Sequence, residues 1–326
     1  MTTPVAVAIT VKDEERSIPQ LLDGLFAQTL QPSQVLVTDC GSTDRTVEMI
    51  ERYMAKGYPI KLQQAPGARR GRGRNLAIAA TSCDWIAIID AGCVPEPQWL
   101  ETLWAGRLTS PSPRAVFGVV RPVTGSLFTE CASTASFPAM RLSDGRKALR
   151  RSVASLLIHR SVWTAVGGFP EASRSGEDLI FIRRMDDAGV AAGLASRAIV
   201  HWEIPTTLRA TMSRFVNYSQ YGLEAGLGST WHYRAFMYYA VAVTLLVLGA
   251  VDSPWWLALL AGLCVLRVVK TVCTNEKEKR GFSAFAPRRL ILIGGILLAI
   301  DLATLYGTLK WLRGLWGAQM RQVSVI

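Results

Sequence analysis

The chain has 326 residues, of which 50% are hydrophobic, and carries a formal net charge of +11 at pH 7. Its aromatic residues are not interleaved with basic residues in an RNA-binding pattern, so the charge argues against a nucleic-acid partner and favours an anionic membrane surface. The 6 cysteines form no CxxC pair and no His/Cys cluster, which argues against a zinc site and a disulfide framework. Long uncharged runs occur only after Arg234, which predicts a soluble part followed by a membrane part.

The first part of the chain alternates patterns typical of strands and helices. Short β-branched apolar runs predict strands at Val5–Val11, Gln34–Thr38, Ile60–Gln64 and Trp85–Ile89. Apolar residues at helical spacing predict helices at Ser17–Gln28, at Asp44–Met54 with Ser42 or Thr43 as its cap, and around Asn75–Ala80 after a loop rich in glycine and arginine. This alternation predicts an α/β fold with a mostly parallel sheet, in which ligands bind at the carboxyl ends of the strands.

The pattern becomes less regular after this region but continues to about residue 205. Further strands are predicted at Ala115–Val120, Ser155–Ile158 and Ala198–Trp202. A glycine turn, Val166–Pro170, and a polar helix that begins near Glu177 lie between the last two strands. We therefore expect one catalytic or binding domain over residues 1–205.

Residues 206–233 predict a helical linker, and residues 234–326 predict a membrane domain. The linker places Leu208, Met212, Phe215, Val216 and Leu223 on one apolar face, so this helix either lies along the membrane or closes the first domain. Three apolar segments follow at Ala235–Val251, Pro254–Leu266 and Leu290–Trp311, which predict two to three transmembrane helices. The third contains Asp301, which faces other helices or has a functional role. The N-terminus lacks a basic start followed by a long apolar core, so no cleavable signal peptide is expected.

The distribution of charge around the apolar segments predicts their orientation. The loop after the second segment is rich in basic residues, namely Arg267, Lys270, Lys277, Lys279, Arg280, Arg288 and Arg289, against the acids Glu276 and Glu278. The turn Asp252-Ser253 carries no positive charge, so the positive-inside rule places the basic loop and the N-terminal domain in the cytosol. A full third crossing would put Lys310, Arg313 and Arg321 outside, against the same rule. We expect an integral protein of the plasma or inner membrane.

Four stretches fall where an open α/β sheet binds ligands. They read TVKDEERSI, VTDCGSTDRT, GRGRN before IIDAGC, and SRSGEDLIFIRR. In order and spacing they resemble glycosyltransferase family 2, whose members have the GT-A nucleotide-sugar fold. The resemblance covers about the first 205 residues, and the GSTD stretch, the GGFPE turn and the Glu-Asp pair carry it jointly.

The resemblance implies a binding site for a nucleoside-diphosphate sugar in the first half of the sheet. Thr10, near the end of the first strand, and Glu14, after it, are the implied nucleotide-sugar contacts, with Glu14 toward the nucleoside, although a solvated charged loop explains Glu14 as well. Asp39 matches the first acid of the family's Asp-Asp-Gly-Ser signature, while Cys40 replaces the second and leaves the identity of the base open. Arg74 matches the family's Arg-Asn pair at a helix N-terminus, where an arginine fork suits a diphosphate.

The stretch IIDAGC resembles the family's metal motif with one acid missing. Asp90 matches the first acid, Gly92 stands at the second, and PEPQW follows as in the family. Mg²⁺ or Mn²⁺ fills its shell with oxygen ligands, so one protein acid suffices if another ligand converges, and His201 is the candidate. The alternatives are a site that has lost its ion, a simple strand end, and a His201 that is only packed.

Glu177 and Asp178 resemble the family's acceptor-side Glu-Asp pair at the start of a helix. An inverting transfer needs a carboxylate that takes the proton of the acceptor hydroxyl, and Asp178 aligns with that base. The alternative is a pair of acids that only offset the helix dipole. The family's polymerising members carry a Gln-x-x-Arg-Trp motif after the pair, whereas this chain reads MSRFVNYSQYG, which indicates transfer of one sugar per acceptor.

The sequence therefore predicts a membrane-anchored inverting glycosyltransferase. Its partners would be a nucleoside-diphosphate sugar, with UDP as the favoured base, a lipid-linked or glycan acceptor near the membrane, and the lipid bilayer; Mg²⁺ or Mn²⁺ would be its cofactor. The substitutions at Gly92 and Cys40 support an alternative, a catalytically reduced nucleotide-sugar-binding protein that acts as a membrane scaffold. Nucleotidyl transfer is disfavoured because no glycine-rich triphosphate loop follows the first strand.

Overall fold

The computed structural model describes residues 5–109, 112–137, 140–141, 147–148, 151–275 and 281–323. The chain divides into two compact units. The first comprises Met1–Val123 and Leu149–Glu203, and the second comprises Thr124–Ala148 and Ile204–Ile326. The first unit ends two residues before the predicted boundary at 205. Residues 124–148 and the predicted linker 206–233 both group with the C-terminal helices instead.

The first unit is built on one sheet of eight strands. Its strands are β1 (Val5–Val11), β2 (Gln34–Asp39), β3 (Ile60–Gln64), β4 (Trp85–Ile89), β5 (Cys93–Pro95), β6 (Ala115–Val123), β9 (Ser155–His159) and β10 (Ala192–Glu203). The order across the sheet is β3-β2-β1-β4-β9-β6-β10-β5. β9 and β5 are antiparallel to their neighbours, and the other pairings are parallel. The predicted α/β class with a mostly parallel sheet is confirmed, and so are the strands on which it rested.

Helices cover both faces of this sheet. They are α1 (Ile18–Phe26), α2 (Thr46–Ala55), α3 (Arg70–Ala79), α4 (Trp99–Gly106), α6 (Arg160–Ala165) and α7 (Glu177–Asp187). Side chains alternate along β1, so that Val5, Val7 and Ile9 join the core on the α1 side. Ala6 and Ala8 join the opposite core, where their small side chains admit α3. This layering places the carboxyl ends of β1, β2 and β4 at one edge.

Two details near this edge differ from the prediction. The GRGRN stretch is not a loop, because α3 begins at Arg70 and includes it. Ser42 and Thr43 do not cap α2, whose first residue Thr46 donates its backbone N–H to Asp44 instead. Ser42 and Thr43 bond the loop after β1, so tertiary contacts take the hydroxyls that the capping pattern assigned to the helix.

The second unit is helical in its described part, apart from a two-stranded ribbon. The ribbon pairs β7 (Met140–Arg141) with β8 (Lys147–Ala148). The helices are α5 (Leu127–Ser136), α8 (Leu208–Glu224), α9 (Gly228–Val251), α10 (Trp255–Asn275) and α11 (Pro287–Val323). A 3-10 turn at Gly281–Phe285 precedes α11. The ion pair Arg289–Glu130 and the bond from Asn275 to the Thr134 carbonyl oxygen attach α5 to α11 and α10. Lys277, Lys279 and Arg280, with Glu276 and Glu278, lie outside the described residues.

The helix α8 packs on α11 through small and polar side chains. Ser219 is fully buried, and its hydroxyl donates to the Thr304 carbonyl oxygen at 2.8 Å. A Cβ on Gly307 would lie 2.5 Å from the Val216 carbonyl oxygen, so glycine is required for the helices to approach this closely. The predicted apolar face is only partly covered, because Leu208 is exposed and its other members are half-buried.

Among the residues that the structure describes, two helices are long and apolar enough to cross a membrane, namely Trp255–Asn275 and Pro287–Leu315. Within α9, the apolar part Ala235–Val251 is shorter. The candidate span in α10 is 6% buried, whereas the one in α11 is 39% buried. A larger share of the α11 span than of the α10 span is therefore covered by protein.

The contacts of α11 fix its direction relative to the α9–α10 hairpin. Near its start, Arg289 bonds α5 beside Asn275, the last residue of α10. About 22 Å further along the helix axis, Thr304 shares Ser219 with His232, which lies in the first turns of α9. Both points are remote from the turn that joins α9 to α10. Between them, Asp301 of α11 accepts hydrogen bonds from Arg267 of α10 and from Tyr239 of α9, near the middle of each helix.

Candidate active site at the carboxyl edge of the sheet

The loops that follow β1 and β2 are joined by hydrogen bonds. The Asp13 carboxylate accepts the Thr43 N–H at 2.8 Å, and Asp13 donates its own N–H to the Ser42 hydroxyl at 2.9 Å. Asp13 has φ of 55°, a left-handed conformation that Asp tolerates better than most residues. Glu14 donates its N–H to the Thr46 hydroxyl. The two loops therefore form one surface at the sheet edge, where the resemblance places the nucleoside.

Asp39, at the end of β2, has its carboxylate occupied by its own loop. It is 3% exposed and accepts the backbone N–H groups of Gly41 and Ser42 and the Ser42 hydroxyl. Asp39 thus shapes the turn at Gly41, whose φ of 93° favours glycine. The adjacent Cys40 is buried, and burial raises the pKa of its thiol. The structure supports a loop-forming role for Asp39, and its contact with a nucleotide stays a prediction.

Two glycines bring α3 unusually close to its neighbours. A Cβ on Gly73 would lie 2.4 Å from Thr10 Cγ2 and 2.8 Å from Cys40 Sγ, and one on Gly71 would lie 2.2 Å from the Pro170 carbonyl oxygen. Thr10 therefore sits beneath the first turns of α3, and its buried hydroxyl has no partner within the described part of the chain. The glycines of GRGRN serve this packing, which sequence reasoning did not assign to them.

Arg74, in α3, connects the two halves of the site. Its guanidinium donates to Glu177 Oε1 and to Asp90 Oδ1, each at 2.7 Å, and the residue is 3% exposed. Both carboxylates favour the charged form, so the pKa of Arg74 is raised despite its burial. Its fork is engaged by these two acids, and the predicted contact of Arg74 with the donor diphosphate stays a prediction.

Asn75 fastens the glycine turn to α3. Its side-chain amide donates to the Phe169 carbonyl oxygen and accepts the Phe169 N–H, each at 2.9 Å. It also accepts the Trp163 indole N–H. Phe169 in turn stacks on Phe181 of α7, with ring centroids 4.0 Å apart. Asn75 and Phe169 thus position the helix that presents Glu177, a role that the sequence reading did not assign.

Glu177 and Asp178 occupy different environments although they are adjacent. Glu177 is 2% exposed and forms the buried ion pair with Arg74. Asp178 is partly exposed and has no ion pair with a cation in the described residues. Desolvation, followed by the charge of Glu177, raises the pKa of Asp178, while Arg74 opposes this shift. Asp178 is therefore the carboxylate that is available to accept a proton, and Glu177 is held as a partner of Arg74.

Asp90 and Glu14 add negative charge to the same edge. Burial raises the pKa of Glu14, the Ser17 hydroxyl lowers it, and the charge of Asp90 raises it further. Asp90, Glu177 and Asp178 all act on the charge of the buried Arg74, and Glu14 interacts with Asp90. Asp90 has a 39% exposed side chain and only one oxygen bonded to Arg74, so its donor set suits a hard divalent cation. In the described residues, no group of three or more His, Cys, Asp or Glu side chains has the arrangement of a metal site.

The space around position 92 is large enough for a side chain, so packing does not require glycine there. A Cβ at this position would meet only Trp202, at 3.7 Å from Nε1, which is an ordinary contact. His201, the predicted second ligand, lies in β10 with Nε2 3.0 Å from Glu96 Oε1. The structure thus brings together Glu14, Arg74, Asp90, Glu177 and Asp178. It gives His201 a different partner, and a shared ion between His201 and Asp90 stays a prediction.

Comparison with known proteins shows which family the first part of the chain resembles. Residues 6–155 match the family model Glycosyl transferase family 2, a range that includes Asp90 but ends before Glu177. The glycosyltransferase AglE of Haloferax volcanii is 29% identical over 205 residues, which are 60% of this chain and 65% of AglE. The pre-mycofactocin glycosyltransferase of Mycobacterium tuberculosis is 27% identical over 222 residues, 64% of this chain and 45% of that protein. The chain thus covers less than two thirds of either relative.

Solved structures show the same fold at low identity. The mannosyltransferase PcManGT from Pyrobaculum calidifontis, in complex with GDP-Man and Mn²⁺, superposes with a TM-score of 0.61 at 19% identity, over 93% of this chain and 87% of that chain. S. aureus TarS 1–349 in complex with UDP-GlcNAc gives 0.50 at 15% identity, over 92% and 90%. These likenesses show that the chain has the fold of these structures, and residues 6–155 resemble a glycosyltransferase family 2 domain.

Proposed function

We propose that the protein transfers a single sugar, with inversion, from a nucleoside-diphosphate donor to a lipid-linked or membrane-proximal acceptor. The observation that carries this proposal is the bridge from Arg74 to Asp90 and Glu177. It joins the strand end of the metal motif to the helix that bears Asp178, so donor-side and acceptor-side acids share one edge. A pair of acids that only offset the α7 dipole would need no such bridge.

In the proposed reaction Asp178 accepts the proton of the acceptor hydroxyl. The hydroxyl oxygen forms a bond to the anomeric carbon, and the bond from that carbon to the diphosphate oxygen breaks. The nucleoside diphosphate leaves with the bonding electron pair, and the single displacement inverts the anomeric configuration. The raised pKa of Asp178 makes it a better proton acceptor than an ordinary aspartate.

We propose a divalent cation, Mg²⁺ or Mn²⁺, at Asp90. Its carboxylate is the exposed acid at the end of β4, and the surrounding acids give the edge a negative charge that attracts a cation. When bound, such an ion neutralises charge on the diphosphate. PcManGT is described with Mn²⁺ and GDP-Man, and TarS with UDP-GlcNAc. For this chain we propose a UDP-linked donor.

The metal proposal predicts opposite effects at two neighbouring positions. Asp90→Asn should weaken metal dependence and turnover, since an amide holds a hard cation less well. Gly92→Asp should lower the Mn²⁺ concentration needed for half-maximal transfer, because a side chain fits there and adds a second acid. His201→Ala should raise that concentration if His201 is a ligand. Metal titrations of each variant check these results, and full wild-type activity in excess chelator would contradict the proposal.

Donor identity is tested by thermal stabilisation. A bound donor raises stability with the logarithm of its saturation, so purified protein is heated with a panel of UDP and GDP sugars, with and without Mn²⁺. The proposal requires one donor to stabilise the protein and to be transferred or hydrolysed. Stabilisation with no donor turnover would favour the scaffold alternative, which the engaged Arg74 and the substitutions at Cys40 and Gly92 support.

We propose that α9 and α10 form the transmembrane hairpin and that α11 lies on the cytosolic side. The apolar part of α9, Ala235–Val251, is about 26 Å long, close to the shortest helix that crosses the hydrocarbon core. In this proposed arrangement α11 does not cross the membrane, so Lys310 and Arg313 stay in the cytosol, in agreement with the positive-inside rule.

This topology is tested by cysteine labelling of intact cells. In a background without Cys264 and Cys273, an impermeant maleimide should label Cys at Ser253 but not at Ser283 or Gly314. All three positions should react after permeabilisation, which controls for accessibility. Labelling at Ser283 without Ser253 would reverse the orientation, and labelling at Gly314 from outside would show that α11 crosses.

A further inference from the structure

A second cavity lies at the opposite end of the sheet from the candidate active site. It has a volume of about 340 Å³ and is lined by Trp85, Arg107, Leu108, Ser112, Pro113, Arg114 and His159. Trp85 begins β4, whereas Asp90 follows its end, so the strand separates the two places by about 17 Å. We call this cavity the rear pocket. Nothing in the proposed transfer reaction uses its residues.

Hydrogen bonds determine which N–H groups two side chains of the rear pocket can still donate. The backbone N–H of Ser161 donates to His159 Nδ1 at 3.2 Å, so the proton of the neutral imidazole lies on Nε2. The Arg114 guanidinium donates to the Ser161 hydroxyl, which is 2.8 Å from the same His159 Nδ1. His159 is thereby left with a donor, its Nε2–H. Arg114 retains further N–H donors, since it is exposed and uses one on Ser161.

Arg107 provides a third donor group. Its guanidinium carbon lies 3.6 Å from the centroid of the Trp104 ring, so the side chain is held by stacking. Its buried Nε has no hydrogen-bond partner, and no ion pair engages Arg107 in the part of the chain that the structure describes. A guanidinium that is held in place and has no carboxylate partner can bind an anion from solution.

The lining of the rear pocket has no acid to compete with such an anion. Asp84 lines the adjacent cavity together with Arg160. Arg160 is not a further ligand, because it donates to the backbone carbonyl oxygens of Ile78, Thr81 and Cys83. Trp85 adds an aromatic surface, packed edge-on against Trp104 and His159. Two arginines, a histidine donor and an indole thus surround a space at the small end of the range for ligand sites.

We propose that the rear pocket binds a small anionic saccharide. Arg107, Arg114 and His159 Nε2–H would hold its phosphate or carboxylate, and Trp85 would contact its sugar ring. This chemistry suits an acidic sugar, because the lining offers donors for an anionic group beside an aromatic surface for a sugar ring. The site is therefore an accessory carbohydrate site on the catalytic unit, independent of the proposed transfer.

The probe is glucose 6-phosphate, measured by isothermal titration calorimetry on the full chain in detergent. Saturating UDP and GDP are present so that the active site does not contribute. Saturable binding is expected for glucose 6-phosphate and not for glucose, and glucuronate shows whether a carboxylate replaces the phosphate. Arg107→Gln and, separately, the exposed Arg114→Gln should each weaken binding at least tenfold. Arg52→Gln, an exposed arginine on α2, is the matched control and should leave binding unchanged.

Several results would overturn the proposal. If glucose 6-phosphate binds no better than glucose, the pocket does not recognise the anionic group. If inorganic phosphate binds as well as glucose 6-phosphate, the sugar ring does not contribute to binding. Wild-type affinity in both Arg107→Gln and Arg114→Gln places the binding elsewhere. If Arg107→Gln lowers the melting temperature, Arg114→Gln decides the question, because its side chain is exposed.

Discussion

Replacement of Asp178 by Asn is expected to reduce sugar transfer by roughly 10²–10⁴-fold, the contribution of general-base catalysis. The amide keeps the size of the side chain but cannot take the proton of the acceptor hydroxyl. Donor affinity should change little, because Asp178 reaches the edge on α7, whereas Asp90 reaches it from β4. Initial transfer rates and donor dissociation constants of the same two proteins provide the test.

The control is Asp187→Asn, at the exposed end of the same helix, which removes an equal charge far from the site. Its transfer rate should stay near that of the wild type. The pH profile gives a second readout: since burial raises the pKa of Asp178, the wild-type rate should fall as pH decreases through a value above that of ordinary aspartate. A rate of Asp178→Asn within a few-fold of wild type, or a loss of donor binding with it, would show that Asp178 is not the base.

The parts of the fold that the sequence predicted are those determined by local patterns. The runs in β1, β2 and β4 are β-branched and buried, and their order along the chain implied parallel pairing. The antiparallel position of β9 between β4 and β6 could not be read in this way, because it depends on pairing between strands distant in the chain. β5 was missed because three residues give no periodicity.

Two missed helices did carry local signals. The helix α5 begins with a capping box formed by Ser126 and Thr129, but Thr in place of the usual Glu or Gln made the pattern weak. The helix α4 follows Pro97 and Gln98, residues that were read only as part of a family motif. Attention to helix start signals would have identified both elements.

The sequence predicted which residues would lie at the site better than it predicted the contacts between them. Glu14, Asp90, Glu177 and Asp178 all converge at the expected edge, since each lies at a strand end or helix start there. The partner of Arg74 could not be foreseen, because Glu177 is 103 residues away and reaches it only through the turn that Asn75 holds. A buried arginine and a diphosphate-binding arginine give the same sequence signal.

Replacement of Arg74 by Gln is expected to destabilise the catalytic unit by roughly 3–5 kcal/mol, the usual cost of removing one partner of a buried ion pair. Most of this cost should come from Glu177, which is 2% exposed, since the Asp90 side chain is partly solvated. For a unit of this size the melting temperature should fall by roughly 6–20 °C. Transfer should also be lost, because the bridge that holds the two halves of the site is removed.

Two further variants separate the ion pair from general disruption of α3. Arg72→Gln changes an exposed arginine of the same helix and should leave the melting temperature nearly unchanged. The double variant Arg74→Gln, Glu177→Gln should be more stable than Arg74→Gln alone, because it leaves no unpaired charge at Glu177. Equal melting temperatures for the wild type and Arg74→Gln would show that the bridge does not hold the site together. No recovery in the double variant would show that Arg74 acts through packing against Phe169, whose ring centroid lies 5.4 Å from its guanidinium carbon, and not through Glu177.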